Sequence, residues 1–202
     1  MSRPSLPGKI RVATVADAAA LRALYAPYVE NTSVTFEYAV PTVPEFEVRV
    51  EQTLRKYPWL LYEENGVILG YAYAGADRTR EAYQWMAESS IYLSEEAWGR
   101  GIGTALYSAL FSVLTAQNFC RCTALITEGN EPSFRLHEKF GFTVCGHMDR
   151  AGYKLGAWHG MTTMEKFLNP FTVPPKAILP FPELLKNPKI LQEIFPSFTL
   201  YL

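Results

Sequence analysis

A glycine-rich turn is the feature of the sequence with the clearest chemical meaning. Gly99, Gly101 and Gly103 follow the apolar, strand-like residues 90–93 and precede a helical pattern of apolar side chains. That pattern consists of Ala105, Leu106, Ala109, Leu110, Val113 and Leu114. Glycine lets the backbone approach a bulky ligand, and a helix start offers free N–H groups and the positive end of the dipole. The turn therefore predicts a cradle for a phosphate or pyrophosphate, with a plain tight turn as the alternative.

The residues around the glycines exclude one well-known nucleotide loop and disfavour another. A Walker A loop needs Gly-Lys-Ser/Thr, whereas Thr104 and Ala105 follow Gly103 here. The even spacing of the glycines fits the dinucleotide-binding fingerprint poorly. The turn by itself does not name the ligand.

Composition narrows the classes of partner. The chain has 202 residues, 49% of them hydrophobic, which is enough for one core with room for an appendage. Its net charge of -1 argues against a nucleic-acid partner and against an anionic membrane. Of the three cysteines, Cys120, Cys122 and Cys145, the pair in Cys120-Arg121-Cys122 lacks metal-ligand spacing, so we expect buried reduced thiols there and no metal. Neither a signal core nor a run of transmembrane length is evident, which predicts a soluble, cytoplasmic protein.

Several helices and strands must position the turn. The hydrophobic periods predict strands at 10–14, 59–63, 67–74, 86–93, 123–127, 142–148 and 162–167. Helices are predicted after Asp17 as the cap, over residues 45–56 with Pro44 at the start, after the turn, and from Pro132 to Gly141. Asn65-Gly66 between two apolar runs predicts a hairpin.

The character of the chain changes at residue 169. Prolines recur from there on, yet the segment stays rich in large apolar residues, unlike a disordered tail. We therefore predict a domain over residues 1–168 and a Pro-rich extension over 169–202 that packs across the body or onto a second subunit.

This order of elements resembles the GNAT acetyltransferase fold, an α/β (α+β) architecture in which helices flank a central mixed, mostly antiparallel twisted sheet. Local motifs resemble more closely the phosphinothricin acetyltransferase subfamily. These motifs are Tyr57-Pro58-Trp59-Leu60, Gly70-Tyr71-Ala72-Tyr73-Ala74, residues 78–85, residues 88–93, Leu136-His137-Glu138, Gly141-Phe142 and residues 152–158. The resemblance covers about residues 10–167 and leaves out the extension.

The resemblance implies an enzyme with acetyl-CoA as co-substrate and no metal. It implies a small amino acid of the phosphinothricin, methionine sulfoximine or methionine sulfone type as acceptor. It also implies a homodimer. Two rival interpretations stay open: an acetyltransferase for a polyamine or a peptide or protein amine, and a non-catalytic protein that binds acetyl-CoA.

Amide formation from a thioester needs a base for the amine, a donor for the developing oxyanion and a proton for the leaving thiolate. Glu88 begins the strand that leads to the turn, and the resemblance implies that it is the base. A surface ion pair is the alternative for this carboxylate. His137 stands where many GNAT enzymes carry a tyrosine that protonates the thiolate, and packing within a helix is its alternative role.

The resemblance also assigns residues to the cofactor. They are Ile91, Tyr92, Leu93, Trp98, Gly99, Arg100, Gly101, Ile102, Gly103, Thr104, Asn130 and Ser133. The turn would hold the pyrophosphate, and the strand before it would pair with the pantetheine. Trp98 departs from the Arg or Gln usual in the superfamily, and Asn130 could equally serve as a helix cap.

The acceptor is assigned to Phe36, Arg78, Arg80 and Tyr83. Two guanidinium groups suit a carboxylate by bidentate bonding, although a solvated basic loop would have the same composition. The arginines argue against a cationic acceptor, and the presence of Glu88 argues against a non-catalytic protein.

Overall fold

The computed structural model describes residues 6–187 together with Gln192. The strands are β1 (Lys9–Val12), β2 (Trp59–Glu64), β3 (Val67–Ala76), β4 (Met86–Leu93), β5 (Arg121–Thr127), β6 (Thr143–Lys154) and β7 (Ala157–Phe167). The helices are α1 (Ala18–Asn31), α2 (Val43–Leu54), α3 (Ile102–Ala116), α4 (Glu131–Lys139) and α5 (Phe181–Leu185). Across the described residues the strands form one sheet in the order β1-β2-β3-β4-β5-β7-β6, antiparallel except between β4 and β5. The predicted mixed, mostly antiparallel sheet is confirmed.

Helices cover both faces of the sheet. On one face α3 buries its apolar stripe completely, including Leu106, Leu110 and Leu114. On the other, α1 and α2 bury Leu21 and Phe46 against the aromatic side chains of β2 and β3. Burial of these faces supplies most of the helices' stability, because short helices are marginal by themselves in water.

The hairpin between β2 and β3 forms where the sequence predicts it. Asn65 and Gly66 adopt φ values of 51° and 80°, as a two-residue turn with positive φ at both positions requires. The prediction at Asp17 is only partly right, since Asp17 stands at the helix start without capping it through its side chain. Its carboxylate instead accepts hydrogen bonds from the Thr14 N–H and from Arg11, because a 3₁₀ turn intervenes.

The last two strands are longer than predicted. The sequence predicts strands at 142–148 and 162–167, whereas β6 and β7 continue to a turn at Leu155-Gly156, where φ is 50° and 80°. Register shifts between Val144 and Gly146 and between Met148 and Gly152 interrupt the alternation of side chains. These irregularities hide the strand from a period-of-two pattern.

The described part of the extension packs on the body of the protein. Phe181 and Leu184 are fully buried. Gln117 at the end of α3 donates through Nε2 to the carbonyl of Leu179 at 2.8 Å, and Trp85 donates through Nε1 to that of Lys176 at 2.7 Å. Residues 188–191 and 193–202 of the predicted extension lie outside the described residues. No helix in the described part of the chain is long and apolar enough to cross a membrane.

The parallel pair β4–β5 creates the main opening in the sheet. The strands pair only at Met86–Arg121, Ala87–Cys122 and Glu88–Thr123, and beyond these positions they diverge. Because β4 continues to Leu93, a gap widens toward the glycine turn. Glu88 therefore lies at the closed end of the gap, and the glycine turn lies at its open end.

Candidate active site

The gap between β4 and β5 is a cavity of about 400 Å³, bounded also by α1, α3 and α4. Of the residues assigned from the sequence, Ile91, Tyr92, Leu93, Trp98, Asn130, Ser133 and His137 line it. The fold thus brings together two separate stretches of sequence, residues 91–98 and 130–137, around a cavity large enough for an extended ligand.

The glycine turn has the geometry that its composition predicts. Gly99 and Gly101 adopt positive φ values of 72° and 85°, which favour glycine. Gly101 is the N-cap of α3, so the N–H groups of Ile102, Gly103 and Thr104 have no acceptor within the helix. A Cβ on Gly103 would lie 3.2 Å from Leu93 Cδ1, so glycine lets α3 approach β4 closely. These N–H groups form a cradle suited to an anion.

Charged side chains near the turn have different roles. Lys139, at the end of α4, donates through Nζ to Thr104 Oγ1 at 2.9 Å and so brings a cation to the cradle. The guanidinium of Arg100 instead reaches Glu64 in the β2–β3 hairpin at 2.6 Å. Trp98 is 59% exposed at the rim of the cavity. Sequence reasoning missed Lys139, which only the packing of α4 beside α3 brings near Thr104.

The edge of β4 faces the gap. The Tyr28 hydroxyl donates to the carbonyl of Leu93 at 2.5 Å and accepts from its N–H at 3.3 Å. Main-chain groups along a strand alternate between its two edges, so those of Ile91 point the same way as those of Leu93, into the gap. Tyr92 pairs with Tyr71 of β3. Ile91 therefore offers a strand edge to a ligand, and Tyr28 of α1 covers the groups of Leu93.

Glu88 is a partly buried carboxylate whose proton affinity is unusually high. Burial raises its pKa to about 7, and the nearby carboxylate of Asp77 contributes to the rise. Near neutral pH such a group can take up and release a proton. Asp77, which sequence reasoning also missed, accepts a hydrogen bond from Thr123 Oγ1 at 2.7 Å.

His137 is held in one orientation by two hydrogen bonds. Nδ1 lies 2.8 Å from the carbonyl of Ser133, which can only accept, so Nδ1 carries the hydrogen. Nε2 then accepts from the hydroxyl of Tyr107 at 3.0 Å. Burial lowers the pKa of His137, so the ring is neutral near pH 7. Tyr107 lines the gap and was not singled out from the sequence, where it is one more residue of a largely apolar helix.

Asn130 and Ser133 form the start of α4. Asn130 Oδ1 accepts from the Ser133 N–H at 3.3 Å, so the helix-cap role of Asn130 is present. Ser133 Oγ lies 3.3 Å from His137 Nδ1. Both residues line the gap, so capping the helix does not remove Asn130 from the cavity wall.

The residues assigned to the acceptor lie in two places. Arg78 is largely exposed, with Nε 3.6 Å from Asp77 Oδ2 and its guanidinium 5.5 Å from the ring of Tyr83. Arg80 is exposed and directly precedes the 3₁₀ turn Glu81–Tyr83. Phe36 lies across the β6–β7 hairpin, where a Cβ on Gly152 would come within 2.4 Å of its ring.

Comparisons with known proteins agree on one family. A family model described as an acetyltransferase (GNAT) domain matches residues 10–163. A phosphinothricin N-acetyltransferase of Streptomyces viridochromogenes is 37% identical over 91% of this chain and 100% of its own length. An L-methionine sulfoximine/L-methionine sulfone acetyltransferase of Pseudomonas aeruginosa is 32% identical over 80% of this chain and 95% of its own.

A solved structure extends the agreement to three dimensions. The crystal structure of a GNAT superfamily phosphinothricin acetyltransferase from Sinorhizobium meliloti in complex with AcCoA superposes with a TM-score of 0.80. The two sequences are 34% identical, and the match covers 88% of this chain and 97% of that one. Within the described residues of our structure, no group of three or more His, Cys, Asp or Glu side chains could hold a metal ion.

Proposed function

The chain belongs to the GNAT acetyltransferase family, and from that premise we propose that it acetylates the α-amino group of a small amino acid or analogue. Phosphinothricin, methionine sulfoximine and methionine sulfone represent this class of acceptor. The enzyme is an acyl-CoA-dependent N-acetyltransferase. The observation that carries the proposal is the gap that opens where β4 and β5 part after Glu88, the proposed base, and that leads toward the anion cradle at the start of α3.

The residues of the gap fit acetyl-CoA. The N–H groups of Ile102, Gly103 and Thr104, with Lys139 beside them, suit the pyrophosphate of coenzyme A. The strand edge at Ile91 suits the amides of the pantetheine, and Asn130 and Ser133 line the opposite wall. When bound, acetyl-CoA supplies an acetyl group activated as a thioester.

We propose that Glu88 accepts the proton that the acceptor ammonium loses. The carboxylate takes this proton as the amine attacks, and its pKa of about 7 makes the exchange favourable near neutral pH. The N–H of Ile91 is the proposed donor to the oxygen that gains charge. Positioning and proton transfer then provide most of the acceleration, because the thioester is already reactive.

His137 is proposed to act on the leaving thiolate through Tyr107. The neutral ring keeps its one N–H proton on Nδ1, bonded to the carbonyl of Ser133, so Nε2 has no proton to donate and accepts from the Tyr107 hydroxyl. The Tyr107 hydroxyl, which lines the gap, would give its O–H proton to the thiolate and regain a proton from water, while His137 holds it in place. His137 and Tyr107 should therefore act as a unit.

Arg78, Arg80 and Tyr83 carry the proposed contacts to the acceptor carboxylate and side chain, with Phe36 as the aromatic residue near the acceptor. The test is CoA release from acetyl-CoA, measured with a thiol reagent, across phosphinothricin, methionine sulfoximine, methionine sulfone, ordinary amino acids and spermidine. Release with the amino acids and analogues, lost in Glu88→Gln, supports the proposal. Release only with spermidine or peptides would move the acceptor to a polyamine or a protein amine.

A homodimer is part of the proposal. β6 is an edge strand, and its hairpin with β7 exposes large apolar side chains. They are Val144, Met148, Tyr153, Leu155 and Trp158. Such a patch on a sheet edge suits a second copy of the chain. Light scattering on Trp158→Asp should give a lower mass than the wild type, and an unchanged mass would place the interface elsewhere.

A further inference from the structure

Two carboxylates, those of Glu88 and Asp77, lie near each other at the closed end of the gap. Glu88 is the register partner of Gly75 on β3 and of Thr123 on β5. Asp77 follows directly after β3, and Thr123 donates its hydroxyl to Asp77 Oδ1 at 2.7 Å. The side chain of Asp77 is only 12% exposed. Thr123 thus lies beside Glu88 in the sheet and holds the carboxylate of Asp77 near it.

Cations near the pair are either exposed or already engaged. Arg78 lies 3.6 Å from Asp77, but its side chain is 65% exposed, and water screens such a contact strongly. Arg121, two residues before Thr123 on β5, forms an ion pair with Glu165 of β7. On the α2 side, Arg49 forms an ion pair with Glu37 at 2.8 Å.

Two further titratable groups that interact with Glu88, one on β3 and one on β5, are neutral near pH 7. Burial raises the pKa of Tyr73, on β3, above its ordinary value. It raises the pKa of the Cys122 thiol, on β5, to about 12. Asp77 is the charged neighbour that raises the pKa of Glu88, in addition to burial. The closed end therefore has two acids without a buried cation among the described residues.

We propose that Asp77 and Glu88 together form a two-carboxylate site for the ammonium group of the acceptor. This inference rests on the proposed function and adds a residue that determines which substrates fit. Asp77 attracts the ammonium, while the proton passes from the ammonium nitrogen to Glu88: the N–H bond breaks and an O–H bond forms. Arg78 beside Asp77 places a guanidinium next to the ammonium site, which matches an α-amino acid, whose carboxylate is one carbon away from the amine.

Asp77→Asn removes the charge with little change of shape, and the new amide oxygen can still accept from Thr123. Glu51→Gln is the control, because it removes one negative charge from an exposed ion pair on α2. Carbon-13 NMR follows the titration of the Glu88 carboxyl in the protein without substrate, with Glu88→Gln to assign the signal. The midpoint should move to lower pH in Asp77→Asn and stay in place in Glu51→Gln. A midpoint that does not move in Asp77→Asn overturns the proposal. If Asp77→Asn does not fold, Asp77→Ser takes its place.

Kinetics test the contact with the ammonium. With methionine sulfone as acceptor, Asp77→Asn should raise KM about tenfold, the loss expected for one charge-assisted hydrogen bond. In Asp77→Asn the acidic limb of the pH profile of kcat/KM should move to lower pH. Asp77→Glu should bring KM part of the way back to the wild-type value. Unchanged KM and an unchanged limb would show that Asp77 does not touch the acceptor. If the wild type turned over no amino acid, the proposed function would fail, whereas the NMR midpoint would still decide whether Asp77 acts on Glu88.

Discussion

The two ends of the gap are built in different ways. The open end uses backbone N–H groups from one continuous stretch, Gly99 to Thr104, whose conformation depends on glycines. The closed end uses side chains from the end of β3, from β4 and from β5, namely Asp77, Glu88 and Thr123. A backbone site tolerates many side-chain changes and suits a feature common to all acyl-CoA donors. A side-chain site depends on each residue, so acceptor choice and proton transfer should reside there.

The largest effect should come from the closed end. Glu88→Gln keeps the size of the side chain and removes its basicity, so we expect kcat to fall by about 10²–10⁴-fold, the usual contribution of a positioned base. In the wild type kcat/KM should rise with pH through about 7, as free Glu88 loses its proton. A stopped assay of CoA release across pH measures both the loss of kcat in the variant and the pH dependence of kcat/KM in the wild type. Retention of most activity in the variant would rule out Glu88 as the base.

The same substitution should stabilise the fold at alkaline pH. The pKa of Glu88 is higher in the folded protein than the ordinary value of 4.5, so its contribution to stability is lost as pH rises through about 7. Glutamine stays neutral throughout. Between about pH 5 and about pH 8, thermal unfolding should show the free energy of unfolding of Glu88→Gln rising by about 1–3 kcal/mol relative to that of the wild type. A constant difference across this range would contradict the raised pKa.

His137 and Tyr107 line the gap and should give the next largest effect. If Tyr107 protonates the thiolate and His137 holds its hydroxyl, then His137→Gln and Tyr107→Phe should each lower kcat by about tenfold. The double variant should lose no more than either single variant, because both changes break one path. Losses that multiply in the double variant would mean that the two residues act separately.

A smaller effect is expected from the backbone of the open end. Gly101→Ala forces alanine into a φ of 85° where no neighbouring atom would obstruct its Cβ, so the cost is conformational. Titration calorimetry should show acetyl-CoA binding weakened by about five- to tenfold. Gly146→Ala is the matched control, since a Cβ at Gly146 also meets open space and the residue lacks a positive φ. Equal affinity in Gly101→Ala and the wild type would argue against a role for the turn's conformation.

The smallest effect should be that of Lys139. The side chain is exposed, so its charge is screened, and Lys139→Ala should raise the KM for acetyl-CoA by only about two- to fivefold at low salt. The difference from the wild type should shrink as salt is added. A difference that does not depend on salt would mean that Lys139 acts through packing of α4.

This contrast also explains what could be predicted from the sequence. The glycine turn and the Asn65-Gly66 hairpin are local patterns, and both have the predicted geometry. The strands of the β6–β7 hairpin are longer than predicted because register shifts break the alternation of their side chains. Asp77, Tyr107, Lys139 and Tyr28 have no local signal, since each matters only through a residue that is distant in sequence and adjacent in the fold.

The measurement that tests the division between the two ends most directly is titration of Glu88→Gln with acetyl-CoA by calorimetry, alongside its assay with methionine sulfone. If the open end binds the donor and the closed end performs the chemistry, the variant should bind acetyl-CoA with the affinity of the wild type and release almost no CoA. Loss of acetyl-CoA binding together with activity would contradict the account, because the two ends would then not be separable.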